Sequence, residues 1–168
     1  GDVKETLPYL TEQVKDNAFP GWIGRFREYE QEEFDKILKE HHDKYHKHIR
    51  MTDVILELNE KGKEPLLVTD VGQHQMIATR YFHFTHPRSL VTSGGLGTMG
   101  FGLPAAVGAQ IGTPNRQVVA VVGDGCFQMT MQELGTIAQS NIPLKIIILN
   151  NSYLGMVRQW QQLFFKKR

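Results

Sequence analysis

Two polar stretches that follow strand-like runs of the sequence could together bind a metal ion. Asp124 comes directly after the apolar run at residues 117–122, and Asn151 comes soon after the apolar run at residues 144–149. The 27 residues from Asp124 to Asn151 make about one strand–helix–strand unit, so both side chains would reach one sheet edge if the strands are neighbours. Carboxylate, amide and backbone oxygens suit Mg²⁺, which we therefore predict here.

Glycines flank the carboxylate and would allow a phosphate group to come close. Gly123 and Gly125 leave room for a phosphate at the start of a helix that we expect near Cys126. Taken alone, this tripeptide is more simply a tight turn in which Asp124 caps a helix. The second polar stretch at Asn151 favours metal and diphosphate binding.

A second glycine cluster offers a rival function. Residues 94–102 contain the pattern G-x-G-x-x-G at Gly95, Gly97 and Gly100, after a predicted strand and before a predicted helix. With Asp124 at the end of the next strand, this pattern resembles a dinucleotide-binding fingerprint. The glycines around Asp124 and the neighbouring asparagines are not needed for ribose recognition, which counts against that function.

The elements that must position these residues alternate between strand and helix. Short apolar runs predict strands at residues 66–69, 89–92, 117–122 and 144–149. Between the last two, one helix is predicted with a single apolar face formed by Phe127, Met131, Leu134 and Ala138. This alternation predicts an α/β fold with a doubly wound parallel sheet.

The region before the first strand has a different character. Residues 3–14 carry apolar positions three or four apart, which predicts a short helix that tolerates Pro8 only in its first turn. Charged residues dominate from 22 to 50, as is typical of a solvated helical connector. Thr52 is predicted to cap a helix through residue 58, ended by a turn at 61–63.

Composition bounds the function. The chain has 168 residues, and its 19 Lys and Arg against 18 Asp and Glu leave a net charge of +1. This balance argues against nucleic acid and anionic membranes as partners, and no apolar run approaches the roughly 20 residues of a membrane span. A single cysteine, Cys126, cannot form an internal disulfide and fits a reducing, cytoplasmic location.

Four segments closely resemble the catalytic (large) subunit of acetolactate synthase, also called acetohydroxyacid synthase, a thiamine-diphosphate enzyme. They are residues 69–76, 92–106, 123–133 and 149–161. The resemblance implies the thiamine-diphosphate-binding fold. It further implies three parts: the end of a central domain at 1–15, a helical connector at 16–50, and a C-terminally truncated cofactor domain at 51–168.

The resemblance also implies roles for single residues at the diphosphate end of the cofactor. Asp124, Asn151 and the Tyr153 carbonyl would ligate Mg²⁺, while Gln73 and His74 would hold the diphosphate. Glycine and helix-start positions would complete the diphosphate site, namely Gly123, Gly125 and Cys126.

Four further residues would face the reacting end. The Gly97 carbonyl would accept from the aminopyrimidine, and Met99 would wedge beneath the cofactor to keep it bent. Met156 would line the same pocket, and Trp160 would face the second substrate.

Each of these residues also has a structural interpretation. His74 could be an ordinary helix-start histidine, Met99 and Met156 could fill a core, and Trp160 could pack its helix against the sheet. Cys126 is predicted to be a small helix-start residue rather than a nucleophile, because no base accompanies it.

A histidine-rich stretch is a separate candidate. His42 and His46 are spaced for a shared transition metal, with His41 and His48 nearby. Because lysines are interspersed in this charged connector, we interpret these histidines as surface residues.

The resemblance implies a reaction in which pyruvate is decarboxylated and its two-carbon unit is joined to a second 2-keto acid. The products would be 2-acetolactate or 2-aceto-2-hydroxybutyrate, in branched-chain amino-acid synthesis. Pyruvate oxidase, a catabolic acetolactate synthase and a non-catalytic dinucleotide-binding module are the alternatives.

Further partners follow from the same resemblance. The family binds FAD mainly through a central domain, forms homodimers or larger assemblies, and in some members pairs with a regulatory small subunit. The sequence begins without Met and stops after an amphipathic segment, so it reads as a piece of a longer chain. Because the family's activating glutamate lies in another domain, we expect the piece alone to be inactive.

Overall fold

The computed structural model describes residues 2–14, 19–39 and 48–168. The chain divides into two compact units, Gly1–Lys47 and His48–Arg168. Among the described helices, none has the length and apolar character that crossing a bilayer requires.

The described residues of the first unit are mostly helical. Helix α1 spans Val3–Gln13 and helix α2 spans Pro20–Glu33, which continues into a π-helical turn at Phe34–Leu38. Asp2 caps α1 by accepting a hydrogen bond from the Lys4 N–H at 2.7 Å. None of the described residues in these helices is buried.

One expectation for the first helix is wrong. Pro8 lies in the interior of α1 rather than in its first turn. Because proline has no backbone N–H, the helix lacks the hydrogen bond that another residue would donate at this position.

Two other predictions for this unit involve residues outside the described ranges. The domain boundary at residues 15 and 16 lies there, as do His41, His42 and His46. His48 is described and exposed.

The second unit is built on a parallel sheet. Its strands are β1 Leu66–Thr69, β2 Leu90–Thr92, β3 Val118–Gly123 and β4 Lys145–Leu149, in the order β2-β1-β3-β4. All three strand pairs are parallel. Each strand lies within one residue of its predicted bounds, and the neighbouring β3 and β4 bring Asp124 and Asn151 to one edge as expected.

The remaining helices cover the sheet and connect its strands. They are α3 Met51–Lys61, α4 Gln73–Tyr81, α5 Gly102–Gly112, α6 Asp124–Thr130, α7 Glu133–Gln139 and α8 Gly155–Phe164. The chain moves from β1 outward to β2 and then back to β3, so right-handed crossovers put α4 and α5 on opposite faces. This arrangement confirms the doubly wound fold.

Alternate residues of β1 and β3 point to the same face of the sheet and form the main buried cluster. Leu66, Val68, Val118, Ala120 and Val122 face Ala106 of α5 and form one buried cluster. Strands β1 and β3 are buried along their whole length because helices lie on both faces, which explains their continuous apolar sequences.

Two helix predictions need correction. The single helix expected after β3 is two short helices, α6 and α7, and Met131 and Leu134 are 53% and 40% exposed rather than buried on one face. Thr52 does not cap α3 but lies buried within it. Residue Arg50 precedes this helix, and its N–H donates to the Asp53 carboxylate at 2.9 Å.

Candidate functional site

A cleft of about 200 Å³ opens at the carboxyl edge of β1, β3 and β4. Every predicted site residue except Trp160 lines it: Gln73, His74, Gly97, Met99, Gly123, Asp124, Gly125, Cys126, Asn151, Tyr153 and Met156. Ligands bind at this edge in doubly wound folds because strand ends and helix N-termini converge there.

The two proposed metal ligands lie side by side. Asp124 begins α6, two residues earlier than the predicted helix start, and its Oδ1 lies 3.4 Å from the Asn151 N–H. The Asn151 side-chain oxygen accepts from the Tyr153 N–H at 3.0 Å, so the loop after β4 is folded around this amide. The Asp124 carboxylate and the Asn151 amide thus line one cleft together with Tyr153.

This donor set fits Mg²⁺ better than a transition metal. Among the described residues, no group of three or more His, Cys, Asp or Glu side chains could hold a metal ion. A hard cation that prefers oxygen and keeps some waters needs no such group. Asp124 and Asn151 therefore suit Mg²⁺, with the remaining positions left for a ligand's oxygens and water.

Gln73 connects three elements around the cleft. Its side-chain oxygen accepts from the Asn151 amide at 3.3 Å, and its amide donates to Gln159 of α8 at 3.2 Å. Gln73 is the first residue of α4, so this network joins the end of β1 to the loop after β4 and to α8.

His74 is buried between two glycines. A Cβ on Gly72 or Gly123 would come within 2.8 and 2.9 Å of the imidazole, so the ring fits only because both residues lack one. Its Nε2 is buried without a hydrogen-bond partner. A buried polar atom left unpaired at a cleft wall is costly, and a ligand oxygen that bonds it would remove the cost.

Burial also controls the charge of this ring. Desolvation lowers the pKa of His74, while the charges of Asp70 and Asp124 and a hydrogen bond to the Asp70 backbone act in the opposite direction. Burial is the dominant cause, so this ring is harder to protonate than an exposed histidine.

Cys126 has the structural character predicted for it. It is the third residue of α6, and its thiol donates to the Val71 carbonyl at 3.1 Å. Burial, followed by its interactions with Asp70, raises the pKa of the thiol to about 12. The thiol stays protonated at neutral pH, which makes it a poor nucleophile.

Helix α8 forms one wall of the cleft but does not bring in every predicted residue. Met156 lines the cleft, whereas Trp160 lies outside its lining, is 57% exposed and packs on Phe164 at 4.8 Å between ring centroids. Residues four apart share a helix face, so Trp160 lies one turn beyond Met156, about 6 Å along the axis.

Sequence reasoning missed part of the lining. Apolar walls come from Met51, Val71, Leu149, Leu154 and Val157. Most of them neighbour predicted residues in the sequence, and that adjacency is a signal that could have found them. Met51 begins the separate helix α3 and carried no such signal.

The sheet order disfavours the dinucleotide alternative. The glycine pattern follows β2, but β1 lies between β2 and β3, so Asp124 is not on a strand next to the glycine loop. A dinucleotide fingerprint uses adjacent strands for its glycines and its acidic residue.

Comparison with known proteins agrees with this geometry. Residues 70–168 match the family model for the C-terminal TPP binding domain of thiamine pyrophosphate enzymes, thiamine pyrophosphate being another name for thiamine diphosphate. The chain belongs to this family. The sheet and cleft described above are therefore those of a TPP-binding domain.

Several relatives carry a more specific name. The large subunit of acetolactate synthase isozyme 2 from Escherichia coli (strain K12) is 58% identical over 108 residues, which cover 64% of this chain and 20% of that protein. The acetolactate synthase large subunit of Porphyra purpurea is 41% identical over 174 residues, covering 100% of this chain and 28% of that protein. The resemblance predicted from the sequence is confirmed.

A solved structure shares the fold. The thiamine diphosphate-dependent 4-hydroxybenzoylformate decarboxylase of Rhodococcus jostii RHA1 superposes with a TM-score of 0.67 and 28% identity, over 74% of this chain and 24% of that one. This chain thus spans less than a third of each of these relatives.

Proposed function

We propose that this chain is the thiamine-diphosphate- and magnesium-binding part of an acetolactate synthase large subunit. The main support is that Asp124, Asn151 and His74, whose Nε2 has no hydrogen-bond partner, line the same cleft. Oxygen ligands for a hard cation thus lie beside a nitrogen that lacks a partner. A magnesium diphosphate would satisfy both needs at once.

In this proposal the diphosphate end is held by side chains from three elements. Asp124, Asn151 and the Tyr153 carbonyl would bind Mg²⁺, and Gln73 and His74 would hold the diphosphate. The backbone beside Gly123, Gly125 and Cys126 gives the phosphates close access to the first turn of α6.

The opposite wall would hold the ring portion. Gly97, Met99 and Met156 line the cleft, so the Gly97 carbonyl would accept a hydrogen bond from the aminopyrimidine and the two methionines would provide apolar contact. When bound, thiamine diphosphate supplies an electron sink for decarboxylation of a 2-keto acid. The residues of this chain would bind and orient the cofactor.

We propose pyruvate as donor, with pyruvate or 2-ketobutyrate as acceptor, because several relatives are named acetolactate synthase. FAD binding, a homodimer or larger assembly, a regulatory small subunit and a cytoplasmic location belong to the same proposal. They would depend on parts of the protein outside this chain.

Ligand binding tests the cofactor assignment. Calorimetry on the complete protein should detect thiamine diphosphate with Mg²⁺ present, much weaker binding without Mg²⁺, and no comparable binding of NAD. Binding of NAD alone would favour the dinucleotide module. Formation of acetolactate from pyruvate would then separate acetolactate synthase from a pyruvate oxidase.

The acceptor role of Trp160 is a separate part of this proposal. Its position one turn beyond Met156 supports a place near the cleft mouth, where an aromatic ring could contact the extra methylene of 2-ketobutyrate. Such contact is worth about 1 to 3 kcal/mol. In the complete protein, Trp160→Leu should lower the preference for 2-ketobutyrate over pyruvate by roughly tenfold.

A competition assay with both keto acids, run beside a thermal melt, checks the role of Trp160. Because the ring is more than half exposed, the melt should change little. An unchanged product ratio with a lowered melting temperature would instead indicate a packing role.

A further inference from the structure

Asp70 is a buried carboxylate outside the lining of the cleft. It follows β1 directly and is 1% exposed. Its Oδ1 accepts from the Val71 N–H at 2.7 Å and from the Gly100 N–H at 3.0 Å. Its Oδ2 accepts from the Gly102 N–H at 2.6 Å. Burying a carboxylate is expensive without such donors, so these bonds are what keep Asp70 in place.

Gly100 and Gly102, which donate to Asp70, occupy positions where other residues would be strained or would not fit. A Cβ on Gly102 would come within 2.8 Å of the Asp70 Cβ and 2.9 Å of its Oδ2, so only glycine permits the approach. Gly100 has φ +84°, which disfavours other residues, and its carbonyl accepts from the Thr130 hydroxyl at 3.0 Å. Gly100 is therefore fixed from both its N–H and its carbonyl.

The segment just before Gly100 bonds to its own start, because the Gly97 and Thr98 N–H groups donate to Ser93 at 3.0 and 3.1 Å. Residues 94–98 are exposed, and Leu96 is 94% exposed. Gly97 and Met99 nevertheless line the cleft. Since Asp70 is the side chain that ties Gly100 and Gly102 back to β1, the position of Met99 depends on it.

Helix α6 contacts the same region. The Cys126 thiol of α6 donates to the carbonyl of Val71, which follows Asp70, and the Thr130 hydroxyl donates to the Gly100 carbonyl. The end of β1, the glycine cluster and α6 are thus joined around Asp70. Gln73 and Asn151, proposed for the diphosphate and for Mg²⁺, bond to one another instead.

We infer that Asp70 is a positioning residue, which holds the wall formed by Gly97 and Met99 in the shape that receives the ring portion of thiamine diphosphate. This inference rests on the proposed function. It divides the cleft into two parts that can be tested separately: a ring end that depends on the side-chain hydrogen bonds of Asp70, and a diphosphate end where Gln73 and Asn151 bond to one another.

Asp70→Asn in the complete protein tests this division. The substitution keeps the side-chain size but turns an NH₂ group toward backbone N–H donors. Affinity should be measured for thiamine diphosphate and for inorganic pyrophosphate, each with Mg²⁺. We expect thiamine diphosphate to bind roughly tenfold more weakly or worse, with pyrophosphate little changed. Equal weakening of both ligands, or of neither, would overturn the inference.

Thr69→Val is the matched control. Thr69 is the last residue of β1, is fully buried, and its hydroxyl donates to the Thr92 hydroxyl at 2.9 Å. This variant should lower the melting temperature and leave the ratio of the two affinities unchanged. A shift in the ratio as large as that of Asp70→Asn would mean that any buried defect in β1 has the same effect.

If Asp70→Asn does not fold, amide hydrogen exchange in the unaltered protein tests the inference. The Gly100 amide lies outside every helix and strand, yet it is buried against Asp70 and should exchange with solvent far more slowly than the Leu96 amide. Equally fast exchange would show that Asp70 does not hold the loop. If the unaltered protein bound neither ligand, the proposed function itself would fail, whatever the Gly100 exchange rate.

Discussion

The two edges of the parallel sheet both carry polar side chains but use them differently. At the amino edge, Arg116 donates to the Glu64 carbonyl at 3.2 and 3.3 Å, to the Pro65 carbonyl at 3.5 Å and to the Ser89 hydroxyl at 2.7 Å. Ser89 in turn donates to the His86 carbonyl at 2.7 Å. These bonds join the loops that lead into β1, β2 and β3.

The carboxyl edge leaves bonding capacity unused. His74 Nε2 has no partner, and Asp124 has a single long contact of 3.4 Å to a backbone N–H among the described hydrogen bonds. Polar groups that satisfy one another hold a fold together, whereas buried groups left without partners indicate a place for a ligand. The two edges therefore separate stability from binding within one sheet.

Asp124→Ala should have the largest effect, because it removes the charged ligand proposed for Mg²⁺. Losing one partner of a close charge pair costs about 2 to 5 kcal/mol, or roughly 30-fold to several-thousand-fold in affinity. Calorimetry with thiamine diphosphate and Mg²⁺ on the complete protein measures this loss, and activity should fall with it.

The control for Asp124 is Glu133→Ala, which removes an acidic residue that begins the neighbouring helix α7 and does not line the cleft. It should leave the affinity unchanged. If Asp124→Ala kept normal cofactor affinity and turnover, the metal assignment would be wrong.

Arg116→Met should show the opposite pattern. It removes the guanidinium bonds at the amino edge and should cost roughly 1 to 3 kcal/mol of unfolding free energy. Cofactor affinity should stay normal because the cleft lies at the other end of the strands. Denaturant unfolding and calorimetry on the same sample measure both quantities, and a selective loss of affinity would contradict the separation.

The effect of pH on His74 is expected to be smaller. Burial lowers the pKa of His74 in the folded protein, whereas the unfolded chain binds a proton near its ordinary pKa of about 6.5. The stability associated with neutral His74 is therefore fully present above pH 6.5 and is lost as the pH falls toward the folded-state pKa. As the pH is lowered below 6.5, the melting temperature of the unaltered protein should fall more steeply than that of His74→Gln. Parallel curves would show that His74 is not buried in the neutral form.

His86→Gln at the amino edge should have the smallest effect. His86 Nε2 lies 2.7 Å from the Glu64 carboxylate, and this bond lowers the pKa of Glu64. Both side chains are exposed, and exposed pairs contribute little to stability. Thermal melts in low and high salt should match those of the unaltered protein. A large loss of stability would show that this exposed pair helps to hold the amino edge together.

The sequence was sufficient to predict the strands and most of the cleft. Strand positions were correct within one residue because β1 and β3 are continuous apolar runs bounded by turn residues, a signal contained in short windows. The meeting of Asp124 and Asn151 was predictable too, because the handedness of strand connections is nearly invariant.

Only the tertiary structure decided which polar side chains have all their hydrogen-bond partners and which do not. The three backbone bonds of Asp70, the unpartnered Nε2 of His74 and the position of Met51 depend on segments far apart in the sequence. The same holds for the exposure of Trp160 and for the break between α6 and α7. Local patterns determine where the chain turns and which faces are apolar, whereas hydrogen-bond partners and burial are set by packing between elements that no short window contains.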